Sequence, residues 1–250
     1  MTSSGRFKDH FSEVAAAYSA HRPSYPAALV DFLARLAPER RLAWDAGCGS
    51  GQLSVLLGGA FDRVVASDAS AEQIARAALH PKVEYRCAPA GVSGLPARVV
   101  DLATAAQAAH WFDLPAYYTE VRRVTRPGGI VALISYGVVA AGAELDAVIG
   151  PFYRDVLGSH WPPERRHVDD GYRSLPFPFE ELDAPALEIR LDWRLEDLVG
   201  YVGTWSAVWA LQQSEGPGPF ATFRRQLTDA WGTGAVRTVR WPLALRVGRV

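Results

Sequence analysis

The sequence predicts an α/β protein built on a mostly parallel, twisted sheet with helices on both faces. Three observations carry this. Short apolar runs and amphipathic stretches alternate from about residue 40 to 137, as they do in consecutive βα units. The first apolar run ends in "WDAGCGSGQ", residues 44–52, which packs Gly47, Gly49 and Gly51 into five positions. Such a turn falls where parallel sheets bind ligands, beyond the carboxyl ends of the strands. Finally, 250 residues, 49% hydrophobic and 21% charged, suffice for one sizeable core with an appended cap.

Each element has its own signal. "SYPAALVDFLARLAP" puts Leu29, Phe32, Leu33 and Leu36 on one helical face, opened near Pro26 and stopped by Pro38. "RLAWDAG" is a short buried strand, and Leu53, Leu56 and Leu57 mark a short helix closed by Gly58-Gly59. "DRVVASD" is a second strand, after which Ser70 and Gln73 form a capping box. "KVEYRCA" and "VVDLATAAQ" supply the third and fourth strands. Asp113 caps the helix "LPAYYTEVRRV", which stops at Pro127-Gly128-Gly129 before a fifth strand, "GIVALISYG".

Beyond residue 138 the pattern changes. "PFYRDVLGSHWPPERRHVDDGYRSLPFPF" is rich in proline, aromatics and charge, and fits a cap or a partner surface. "ALEIRLDWR" reads as a strand, followed by helical stretches at about 195–212 and 219–231, split by "GPGP". "VRTVRWPLALRVGRV" is a closing strand in which Pro242 suits only the start or an edge.

Composition excludes several classes. A net charge of −1 creates no global field to recruit nucleic acid or anionic lipid. Lys8 and Lys82 are the only lysines, so a Schiff-base mechanism has few candidates. Cys48 and Cys87, the only cysteines, make neither a disulfide framework nor a metal cluster. The expectation is reduced thiols and a cytoplasmic protein. "MTSSGRFKDH" is followed by no apolar h-region. The most apolar stretch, from Ile130, is broken by Ser135, Tyr136, Gly137 and Glu144, too often to span a bilayer.

The glycine turn discriminates among ligands. A dinucleotide fingerprint needs a third glycine where this chain has Gln52 in one frame and Ser54 in the other. A P-loop needs a lysine that is absent. A nucleophile elbow fails because Cys48 occupies its first glycine position. What remains is G-x-G-x-G after strand one, with Asp68 ending strand two seventeen residues beyond Gly51. A carboxylate near that spacing meets a ribose, while the turn admits a zwitterionic amino-acid group. The pair suits S-adenosylmethionine, which has a ribose and a sulfonium but no phosphate. The alternative is a tight βα turn with an accidental acid.

On these residues the chain resembles the class I S-adenosylmethionine-dependent methyltransferases, whose Rossmann-like fold the resemblance implies. "WDAGCGSGQ" is similar to their first motif, "VVASDAS" to the ribose-acid motif, and "VTRPGGIVAL" to the segment entering strand five. More narrowly, "YSAHRPSYP", "QAAHWFD", "FPF", "TWSA" and "WPLALRVGR" resemble the group around trans-aconitate methyltransferase and related small-acid O-methyltransferases. The resemblance implies one domain over 1–250. Within it lie a helical lid at 1–38, a cofactor-binding core at 39–137, a substrate cap at 138–185 and 195–231, and closing strands at 186–194 and 236–250.

It also implies roles for particular residues. Gly47, Gly49, Gly51 and Gln52 pass beside the methionine part, with Asp45 below them on the amino end or the loop. Asp68 takes the ribose hydroxyls, Ala69 lies against adenine, and Ala90 offers its backbone to the adenine edge. Gln107 places its carbonyl near the amino group, and Tyr18 and Arg22 close over the cofactor. Ala90-Gly91 stands where many relatives carry an acid, so backbone contacts must serve the adenine amino group.

Methyl transfer is an in-line displacement in which the protein contributes alignment and exclusion of water. An ionised carboxylate needs no base, whereas a hydroxyl is helped by one. His110 is the candidate base or acceptor-pocket residue, with packing beside Trp111 as the plainer role. Trp111 and Trp205 are candidate acceptor walls, although Trp205 and Trp209 also fit a core stripe. For an anionic acceptor the candidate cations are Arg22, Arg166, Arg173 and Arg240. His160 and His167 lack metal-ligand spacing, so no metal is expected. "QAAHWF" also lacks the Asn/Asp-Pro-Pro-aromatic motif of amino-methylating DNA enzymes. Small-molecule O-methylation is therefore the leading expectation. N- or C-methylation and a non-catalytic cofactor-binding module stay open, as does the oligomeric state.

Overall fold

The computed structural model describes residues 23–250. They form two compact units: residues 23–140, 163–191 and 239–250 hold the sheet, and residues 141–162 and 192–238 form a helical unit.

In the first unit, α1 (Ala27–Leu36) buries Leu29, Val30, Leu33 and Ala34, while Phe32 and Leu36 are only half-buried. The strands are β1 (Leu42–Ala46), β2 (Arg63–Asp68), β3 (Val83–Cys87), β4 (Val100–Ala106), β5 (Thr125–Tyr136), β6 (Glu180–Leu182), β7 (Glu188–Trp193) and β8 (Arg237–Arg249). They are ordered β3-β2-β1-β4-β5-β8-β6, and β7 also pairs with β8. The pairs from β3 through β5 are parallel, while β8 runs antiparallel to β5 and β6. The expected α/β architecture is present. β1 lies between β2 and β4, so the crossovers on its two sides diverge there, the position beyond whose carboxyl end such sheets bind ligands. All five β1 residues are buried, as both-face coverage requires.

The intervening helices are α2 (Gln52–Ala60), α3 (Ala71–Ala75), α4 (Leu114–Val124) and α6 (Arg165–Asp169), while α5 (Ala143–Pro151) lies in the helical unit. Two sequence expectations need correction here. Gly58-Gly59 does not end α2, which continues to Ala60 and closes where the Phe61 N–H bonds the Leu57 carbonyl. Gly58 serves packing instead, since a Cβ there would lie 2.6 Å from the His80 ring. Likewise α4 ends at Val124, before Pro127-Gly128-Gly129, which lies inside β5. Val100 pairs with Thr125 but Leu102 with Ile130, so the Pro-Gly-Gly segment forms a bulge that Gly128, at φ 77°, accommodates. Asp113 does cap α4, its Oδ1 accepting from the Ala116 N–H at 3.1 Å.

Pro242 sits inside β8 rather than at its start. It falls between Leu243, the last residue paired with β5, and Arg240, which bridges Ala140, so no ladder bond needs its missing N–H. Residues 163–191 pack in the unit that holds the sheet. There Tyr118 donates to the Pro176 carbonyl at 2.7 Å and meets Phe177 and Phe179 edge-on.

The helical unit contains α5, α7 (Leu195–Gly203), α8 (Ser206–Glu215) and α9 (Gly218–Trp231). The expected helix over 195–212 breaks at Thr204-Trp205. There the Thr204 hydroxyl bonds back to the Tyr201 carbonyl at 2.6 Å and Trp205 turns extended. Two aromatic groups form its core: Phe152 stacked on Phe223 at 4.1 Å, and Trp205 ringed by Tyr153, Trp161 and Tyr201.

Candidate functional site

The parallel register brings the carboxyl ends of four strands side by side. Ala46 is level with Ser67, Asp45 with Thr104, and Ala106 with Ile134. The segments leaving these strands therefore share one edge of the sheet: the glycine turn after β1, Asp68 at the end of β2, and Gln107 after β4.

All three glycines of the turn are left-handed, with φ of 66° at Gly47, 53° at Gly49 and 87° at Gly51, a region L side chains rarely tolerate. Their surroundings differ. A Cβ on Gly47 would lie 2.5 Å from the Ala108 Cβ, and one on Gly51 would lie 2.1 Å from the Tyr85 hydroxyl. The close approach at those two is to the protein's own side chains. At Gly49 the nearest atom to an added Cβ is the Gln73 amide oxygen, 3.9 Å away. Gly49 is thus the point where the turn opens.

Beneath the turn, Asp45 is buried and accepts from the Ser54 hydroxyl at 2.6 Å and the Thr104 hydroxyl at 2.8 Å. Burial pushes its carboxyl up to about 6, although both hydroxyls favour the charge. Burial also raises the Cys48 thiol, holding it protonated. Asp68 is half-buried and accepts from two backbone N–H groups, Gly49 at 2.9 Å and Ser70 at 2.8 Å. It ties the glycine turn to the start of α3 and keeps lone pairs on both oxygens. Gln52 begins α2, Ala69 is exposed beside Asp68, and half-buried Ala90 packs against the sheet core.

Gln107 stands in the left-handed region at φ 54°. Its side-chain amide donates to the Tyr136 carbonyl at 2.8 Å, leaving a buried amide oxygen with no partner. An orphaned acceptor at a strand end is what a ligand carrying an N–H donor would satisfy. The expectation concerned the Gln107 main-chain carbonyl; the side-chain oxygen was not anticipated.

His110 lies in the 3₁₀ turn Ala109–Trp111 that follows. Its Nδ1 is 2.8 Å from the hydroxyl of Tyr172, a fully buried residue 62 positions away that sequence reasoning missed. The one sequence cue is the Asp170-Gly171 pair, a turn signal just before it. Trp111 is 45% exposed. Arg166, Arg173 and Arg240 are exposed. Trp205 belongs to the helical unit and its aromatic cluster. His160 meets Glu215 and His167 meets Ser174. The described residues contain no cluster of His, Cys, Asp and Glu that could hold a metal. No described helix is long and apolar enough to cross a membrane. Tyr18 and Arg22 lie outside the described residues.

Comparison with known proteins settles the family. Residues 44–133 match the family model described as "Methyltransferase domain". A Dictyostelium discoideum protein provisionally named a methyltransferase is 32% identical over 232 residues, covering 91% of this chain and 88% of its own. The chain belongs to the class I S-adenosylmethionine-dependent methyltransferases. A solved structure from Anaeromyxobacter dehalogenans, provisionally described as a type II methyltransferase, shares 49% identity at a TM-score of 0.87. The match covers 91% of this chain and 97% of that one. The cofactor of this methyltransferase is S-adenosyl-L-methionine, and the residues present fit it. Gly49 leaves a cradle, Asp68 retains lone pairs for hydroxyl groups, and the orphaned Gln107 oxygen awaits a donor such as an ammonium.

Proposed function

We propose that this methyltransferase methylates an oxygen of a small, anionic molecule, most simply a carboxylate. One observation carries the proposal: Asp45, Asp68 and His110, the carboxylates and imidazole at the glycine turn, the end of β2 and the turn after β4, are each already hydrogen-bonded within the protein. An acceptor that arrives ionised needs none of them as a base, and carboxylates are ionised at neutral pH. The likeness of the substrate-half motifs to small-acid O-methyltransferases supports the same class.

S-adenosyl-L-methionine supplies, when bound, a methyl group made electrophilic by its sulfonium. In this proposal the protein's residues hold and orient. Gly47, Gly49, Gly51 and Gln52 line the amino-acid part, and the Gln107 side-chain oxygen accepts from the ammonium. Asp45 lowers the potential beneath it. Asp68 accepts from the ribose hydroxyls, while Ala69 and the backbone of Ala90 flank the adenine. Arg166, Arg173 and Arg240 are the described candidates for drawing in an anion, and Trp111 for enclosing it.

The test is mass spectrometry of products from a panel of small carboxylic acids, phenols and amines incubated with enzyme and S-adenosyl-L-methionine. Methyl esters are the expected products. An N- or C-methylated product overturns the carboxylate assignment. Cofactor binding without turnover on any member favours a binding module.

A further inference from the structure

The contact between His110 and Tyr172 fixes more than position. A phenol and an imidazole nitrogen 2.8 Å apart share one hydrogen, and either group can own it. The neighbours decide. Tyr172 is fully buried, so its single O–H must find an acceptor nearby. His110 Nδ1 is the acceptor within hydrogen-bond distance of that O–H, so toward the imidazole the hydroxyl donates.

We infer that Tyr172 is a positioning residue that donates its hydroxyl hydrogen to His110 Nδ1, so that the neutral imidazole carries its own hydrogen on Nε2 and presents a donor rather than a base. Burial supports this by holding the phenol protonated. His110 then acts as a hydrogen-bond donor toward an anionic oxygen. This deepens, and rests on, the carboxylate reading above: the pair favours acceptors that arrive ionised over hydroxyls that must lose a proton.

The backbone around Tyr172 is built to hold this geometry. Gly171 and Tyr172 are both left-handed, at φ 68° and 65°, an uncommon state for a bulky residue that persists only where the surroundings enforce it. The Tyr172 N–H bonds the His167 carbonyl at 2.7 Å, and the Leu175 N–H bonds the Tyr172 carbonyl at 3.1 Å. Arg246 on β8 donates to the carbonyls of Tyr172 and Leu175 at 3.1 and 2.7 Å. The same guanidinium is locked by a two-point bond to Glu181, 2.9 Å at each contact. Gln107, three residues before His110, is the other left-handed non-glycine on this edge. Backbone strain is thus gathered around His110, as it is at sites where function over-determines structure.

The test uses the full chain labelled with ¹⁵N-histidine, at a pH where imidazoles are neutral. His110 is assigned by its loss in His110→Gln. The expected long-range ¹H–¹⁵N pattern has a bare Nδ1 and a protonated Nε2. A protonated Nδ1 overturns the inference, and this wild-type spectrum decides even if a variant fails to fold. Tyr172→Phe keeps the ring and removes only the hydroxyl. It should shift His110 toward mixed tautomers and lower kcat on an acid substrate by about five- to fifteenfold, one hydrogen bond's worth of orientation, with KM for S-adenosyl-L-methionine unchanged. A folded Tyr172→Phe with the wild-type tautomer and kcat overturns it. Absence of turnover on every acid would sink the carboxylate reading alone, because the tautomer is read without substrate.

Discussion

Replacing Asp45 with Asn should make the protein more stable and a poorer binder of its cofactor. The folded carboxyl sits at about 6 against an ordinary 3.8, chiefly because burial disfavours the charge. A gap of about two units corresponds to about 3 kcal/mol of disfavour for the ionised form. Because the folded value is raised, the native state holds this proton more tightly than the unfolded chain. Between about pH 4 and 6 wild-type stability therefore falls as pH rises, and above that window the loss is complete. Asn never carries the charge, but its amide must replace one acceptor facing the Ser54 and Thr104 hydroxyls, costing about 1 kcal/mol. The net expectation at pH 7.5 is a variant more stable by about 1–2 kcal/mol, with a melting temperature about 2–8 °C higher. Near pH 4 that advantage should vanish. Urea unfolding of both proteins across this range isolates the effect, since other titrating groups cancel in the difference. Titration calorimetry with S-adenosyl-L-methionine should meanwhile show weaker binding by Asp45→Asn, because the negative charge under the glycine turn is gone. A stability difference that is flat with pH, or that favours wild type most at pH 7.5, would refute the reasoning.

Four further outcomes follow from the same geometry. Gly51→Ala drives a Cβ into the Tyr85 hydroxyl, itself held on the Ala78 carbonyl at 2.7 Å. It should cost about 2–4 kcal/mol in urea unfolding, with Tyr85→Phe recovering about half; no recovery would show that φ alone sets the cost. Gly49→Ala meets only the Gln73 amide oxygen, at an ordinary contact of 3.9 Å, so it should cost only about 1 kcal/mol of stability yet reduce cofactor affinity by about tenfold or more in calorimetry; wild-type affinity would remove Gly49 from the cradle. Asp101 is fully buried, accepting from the Arg41 and Leu42 N–H groups at 2.9 Å and pairing with Arg126 at 2.8 Å. Asp101→Ala should destabilise by about 3 kcal/mol without changing cofactor affinity, and a loss below about 1 kcal/mol would contradict that role. For Asp68→Ala the expectation is weaker cofactor binding by about 1–3 kcal/mol, and unchanged affinity by calorimetry would take it out of the site.

Much of the candidate site's edge of the sheet was legible because its signals are local. Apolar runs of strand length, the glycines of residues 47–51 and an acid ending the next strand are close in sequence, and each is enforced by backbone stereochemistry. Element ends were less legible where tertiary contacts outweigh propensity. Gly58 stays helical because His80 needs its space, and Pro127-Gly128-Gly129 stays in β5 because pairing with β4 resumes on either side of it. The Gln107 amide oxygen carries no sequence signal, because its isolation depends on the Tyr136 carbonyl taking the other end of the amide.

The sequence by itself determined the fold class, the glycine turn after the first strand and the carboxylate beside it, since βα periodicity and positive-φ glycines are properties of short segments. Only the tertiary structure decided which glycine of the turn is not closed in by neighbouring side chains, how Asp45 is charged, and that Tyr172 reaches His110. Each of those depends on distant residues brought within hydrogen-bond range or excluded from water, and neither burial nor proximity across 62 positions is encoded in local pattern.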